Sequence, residues 1–98
     1  MKAEEIRRQL IGQTIRWWDE AGFFHGWMEL EPDGRASITM QNPDGADTGQ
    51  WRLADAQLCT RWTAARDGTE KCYRLRQVAP QRFVTSGGNV FMLVTPEV

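Results

Sequence analysis

Cys59 and Cys72 are the only thiols in the chain, with twelve residues between them, and they admit three chemistries. A disulfide is the first, because an even cysteine count in a small domain commonly staples a thin core. Two buried free thiols are the second. A metal site is the poorest, since zinc wants four ligands at short spacing and the one histidine, His25, lies far away in sequence. Strand register separates the first two. A loop centred between Ala65 and Arg66 makes the cysteines direct cross-strand partners, whereas a two-residue Asp67-Gly68 turn pairs Cys72 with Thr63 and parts the sulfurs.

Other groups point away from catalysis. Acid–base work by paired carboxylates needs two acids held across a cleft, yet Asp19, Glu20, Glu29 and Glu31 all fall beside expected turns. Ser37 and Ser86 lack a Gly-x-Ser-x-Gly elbow, and a disulfide would consume a thiol nucleophile. Asn42, Asp44 and Asp47 miss the calcium-loop spacing, so a hairpin turn is expected there. "SGGNV" lacks the helix and lysine of a phosphate cradle. The expectation is a protein that is not an enzyme, with no catalytic residues, no metal and no cofactor.

The informative stretch is "IRWWDEAGFFHGWM", residues 15 to 28, which holds three tryptophans, two phenylalanines and the single histidine. Successive strand side chains point to opposite faces, so neither Trp17 and Trp18 nor Phe23 and Phe24 can share one. Ile15 and Trp17 go together, as do Arg16 and Trp18. Phe24, Gly26, Met28 and Leu30 form an apolar face; Phe23, His25, Trp27 and Glu29 form a mixed one. Binding walls commonly combine large apolar surfaces with a few orienting polar groups. Trp18, Phe23, His25 and Trp27 are therefore the candidate ligand-binding residues, for a small apolar or aromatic ligand. Plain packing beneath a barrel wall and a helix is the competing account, and a protein-contact patch a third.

The elements that must position these residues are short. "KAEEIRRQLIG" has acids early, bases late, Ile6 and Leu10 four apart, and Gly12 as a stop, which predicts a helix over about 3–11. Turn residues then recur at 19–22, 31–34, 42–47, 53–56, 65–68, 79–80 and 86–89, many as Asp-Gly. They separate expected strands at 14–18, 23–30, 35–41, 48–53, 57–63, 70–78, 81–85 and 90–95. Alternating helices, which a parallel sheet needs, are absent from the pattern. The expectation is one mainly β domain over 1–98, an antiparallel up-and-down meander closing into a small lipocalin-like barrel (about 13–96) behind one N-terminal helix.

At 98 residues and a formal charge of −1, with no clustered basic face, nucleic acid is excluded as an expected partner. No apolar run reaches the roughly 18 residues of a membrane span, and residues 1–11 lack the apolar centre of an export signal.

"GQWRLADAQLCTRW" followed by "CYRL", after "LIGQTIRWW", resembles an uncharacterised family of small exported proteobacterial proteins. The pattern is Gly49-x-Trp51, Leu58-Cys59 with Trp62, and a later Cys72, covering most of residues 9–77. The resemblance implies a lipocalin-like β-fold after a short helix, a Cys59–Cys72 disulfide, a periplasmic or secreted location, and no established activity. Together these readings lead to a non-catalytic cell-envelope binding protein for a small ligand. The alternative is a protein-interaction module, such as an envelope enzyme inhibitor, presenting loops 42–48 and 86–89 to a partner.

Overall fold

A computed structural model describes residues 1–40, 45–64 and 68–94. The helix α1 runs Ala3–Leu10 and nine strands follow: β1 Thr14–Trp18, β2 Phe24–Leu30, β3 Arg35–Met40, β4 Ala46–Ala54, β5 Gln57–Trp62, β6 Lys71–Tyr73, β7 Leu75–Ala79, β8 Arg82–Thr85 and β9 Val90–Leu93. The spatial order is β6-β5-β4-β3-β2-β1-β9-β8-β7, every ladder being antiparallel. This is the expected meander, a nearly closed barrel in which the first and last strands pair: Ile15 lies opposite Leu93 and Trp17 opposite Phe91.

One expected strand, 70–78, is two. Its first half, β6, pairs with β5, and its second half, β7, pairs with β8, so the segment serves both ends of the sheet. Between them Arg74 leaves the ladder: its N–H donates to the Ser86 hydroxyl at 3.1 Å and its carbonyl accepts from the Ser86 N–H at 2.9 Å. The cause is closure. A single bent segment changes partners where the twisted sheet meets itself. Residues 95 and 96, assigned to the barrel by the sequence, lie outside the described residues, as do Asn42, Asp44 and the loop centre at 65–66.

The helix closes one end. Glu5 accepts a hydrogen bond from the Lys2 N–H at 3.0 Å, and the Gly12 N–H donates to the Leu30 carbonyl at 2.8 Å, with Gly12 at φ 81 ending the helix as expected. Ile6 and Leu10, fully buried, pack into one cluster with Leu30, Leu58, Leu75 and Phe83. The amino terminus donates to the Leu75 carbonyl at 2.8 Å, and the Arg7 guanidinium lies over the Trp51 ring. A narrow apolar edge suffices here because the barrel, not the helix, supplies the partner surface.

Register also settles the cysteines. Cys59 lies directly opposite Cys72, with Leu58 opposite Tyr73 and Thr60 opposite Lys71, and the two sulfurs are bonded at 2.05 Å. The long β5–β6 loop, not the two-residue turn, therefore holds. At the β4–β5 hairpin the chain does make a two-residue turn: Asp55 and Ala56 both take positive φ, at 49 and 63, matching the strand twist as a type I′ turn requires.

Candidate functional site

The end of the barrel away from α1 is rimmed by the turns after β1 and β8. Inside it lies a cavity of about 80 Å³. Its walls come from alternation within each strand. Trp17 on β1, Met28 on β2, Ile38 and Met40 on β3, and Trp62 on β5 point inward, two residues apart wherever a strand contributes twice. Tyr73 and Phe91 meet edge to face at 5.9 Å, joining β6 to β9. Thr60, Lys71, Thr85 and Asn89 add polar groups to the lining, and among the described residues no carboxylate does.

Two features of the lining matter chemically. Trp17 keeps its indole N–H buried with no protein acceptor among the described residues. Such a donor is costly to leave unmatched. Lys71 opens β6 at the rim and forms no ion pair among the described residues, although Arg35, Arg52 and His25 each have an acidic partner.

The four residues singled out from the sequence fall on both sides of the wall. Trp17 pairs with Gly26 but Trp18 pairs with Phe24, so His25 is the extra residue of a β-bulge. The bulge reverses the alternation, and Phe24, expected on one apolar face with Gly26, Met28 and Leu30, turns away from them to the outside. Trp18, Phe24 and Trp27 form a row of ring contacts on the outside, at 5.2 Å and 5.1 Å, with the Arg16 guanidinium over Trp18. Phe23 sits in the turn, 68% exposed, and Trp27 is 40% exposed. His25 stacks on Trp17 with centroids 4.5 Å apart and planes 12° from parallel. None of the four lines the cavity; His25 reaches it through Trp17. Gly26, at φ 141, faces the Thr39 carbonyl so closely that a methyl group would collide with it, which is why the bulge needs glycine.

Sequence reasoning missed Lys71, Thr60 and Trp62, and a signal for them was present. Counting by twos from cysteines on the outer face turns Thr60, Trp62, Lys71 and Tyr73 inward, once the register is known.

Asp19 secures the rim. One carboxylate oxygen accepts from the Phe23 N–H at 3.0 Å and the other pairs with the His25 Nε2 at 2.7 Å. The His25 hydrogen bond first, then that of Phe23, hold its carboxyl below the ordinary aspartate range. A depressed folded value means the contribution is complete above the unfolded value and is lost as pH falls through the folded one. Asp19→Asn should therefore melt below the parent at pH 7, with the gap closing as the pH falls below the ordinary aspartate range. Equal melting at pH 7 would show that the pair contributes nothing.

The outer face carries the remaining charge cluster. Arg52 donates to both oxygens of Glu70, at 2.9 and 2.7 Å, beside the disulfide. Glu70 and the two cysteine sulfurs lie within 4.8 Å of one another, but the S–S bond leaves no thiolate to bind a metal.

No protein family, curated protein or solved structure matches this chain. The barrel is consistent with the fold that the short sequence motifs imply.

Proposed function

We propose that this is a non-catalytic binding protein of the cell envelope that seats a small ligand with an apolar body in the barrel mouth. The observation that carries the reading is the cavity at the end left open by the helix, walled by aromatic and sulfur-bearing side chains and edged by a few polar groups. Its 80 Å³ is about half the roughly 150 Å³ that takes up the six carbons of benzene in an engineered protein cavity, which suits about three tail carbons inside the barrel with the rest of the ligand at the mouth. In this reading Trp17 is a wall, and His25 and Asp19 hold it in place. The envelope assignment is supported by the disulfide, which suits an oxidising compartment. No helix among the described residues is long and apolar enough to cross a membrane.

Gly87 offers the test. It lines the mouth at ordinary negative φ, and a methyl group there would meet only the Thr85 hydroxyl at 3.8 Å and the Lys71 ammonium at 3.9 Å. Gly87→Leu should fold normally and obstruct the entrance. Titration with pentan-1-ol, followed by the indole N–H signals of Trp17 and Trp62, should show saturable shifts in the parent and at least about tenfold weaker binding in the variant, since the obstructed tail loses a kilocalorie or more of burial. A parent whose indole signals do not move would refute the cavity reading.

A second reading rests on the exposed aromatic row. Trp18, Phe24 and Trp27 present a connected apolar surface on the outside, with Phe23 exposed in the adjoining turn, of the kind that marks contact with another protein. The same titration separates the two, because a partner seated on the outer row leaves the cavity indoles unmoved by small ligands.

A further inference from the structure

We infer that the ligand is a short-chain monocarboxylate whose anionic head is held at the mouth by Lys71. This rests on the binding reading above and narrows it to one chemical class.

The register places the ammonium. Lys71 pairs with Thr60 and alternates with the outward Cys72, so its side chain belongs to the inner face at the rim. Its Nζ reaches the β8–β9 turn, where the missing side chain of Gly87 leaves room beside it and the Thr85 hydroxyl. Of the two lysines in the chain, this one stands over the cavity without a counter-ion among the described residues. Glu20 packs against Gly88, next along the same turn, but forms no ion pair with it.

Complementarity then narrows the head group. An ammonium is a pure donor, and a carboxylate is a pure acceptor. Among the described residues, a lining with one cation, no arginine fork and neutral hydroxyl and amide groups suits a single negative charge better than a phosphate. Below the rim, Met28, Ile38, Trp62 and Phe91 offer only apolar surface, and the volume admits a short tail. The charge stays in partial contact with water, where a mobile ammonium can follow it, while the chain enters the barrel.

Matched ligands test this: pentanoate against pentanamide, titrated into the parent and into Lys71→Met, read by calorimetry and by the Trp17 indole N–H signal. We expect the parent to favour the carboxylate by about tenfold, as a charge-assisted hydrogen bond at a part-exposed site allows. In Lys71→Met the carboxylate-to-amide ratio should fall to about one. Equal binding of both ligands by the parent would overturn the inference and leave the cavity reading standing. A preference that survives in Lys71→Met would overturn the role of Lys71, and binding of neither ligand would overturn both readings.

Discussion

Truncation of Phe83 to alanine is expected to cost about 3–5 kcal/mol, among the largest losses any single substitution in this chain would produce. Phe83 is fully buried, lies directly opposite Phe91 across the β8–β9 ladder, and packs in the cluster that Ile6 and Leu10 complete from the helix. Removing the ring deletes its transfer free energy and leaves a void that the surrounding strands cannot collapse to fill, because they are tied by ladders on both sides. Urea unfolding should show a lower midpoint with a similar slope. Val78→Ala, on the exposed edge of β7, should stay within about 0.5 kcal/mol and serves as the control. A loss below about 1 kcal/mol at Phe83 would mean that the barrel interior is not packed around it.

The second large effect should come from the disulfide. Cys59–Cys72 closes a loop over a sequence separation of 13, for which the chain-entropy account gives roughly 3 kcal/mol of stabilisation. The bond does more here than tether a hairpin. β6 has only three residues and is an edge on its far side, so the covalent link holds the strand that carries Lys71 and Tyr73. Denaturant unfolding with and without reductant should differ by about 2–3 kcal/mol, and the Cys59→Ala, Cys72→Ala double variant should match the reduced protein. Intact mass after alkylation under denaturing conditions should show no modified thiol until reduction. Two thiols alkylated without reduction would remove both the staple and the main support for an oxidising compartment.

Much of the architecture is legible in the chain because its causes are local. The acids, bases and Gly12 around Ile6 and Leu10 mark the helix to within one residue, and Asp-Gly and Gly-rich breaks mark the strands to within a few. Alternation correctly groups Ile15 with Trp17, and Met28 with Leu30, and the closed barrel puts both pairs on its inner face. It fails at Phe24, because a bulge is a property of two strands: whether His25 is skipped depends on where β1 pairs with β2. The cysteine register failed to resolve for the same reason, since both loop lengths satisfy the local turn chemistry.

Composition and spacing thus sufficed for an antiparallel meander behind a helix, with two cysteines and an aromatic-rich first hairpin. Which side of the wall each ring occupies, where the strand through Arg74 changes partners, and which lysine stands over a cavity were decided only by closure of the barrel. Turns and alternation are set by neighbours in sequence, whereas cavities and registers are set by ladders between distant residues, and a one-residue slip in any ladder turns every side chain to the opposite face.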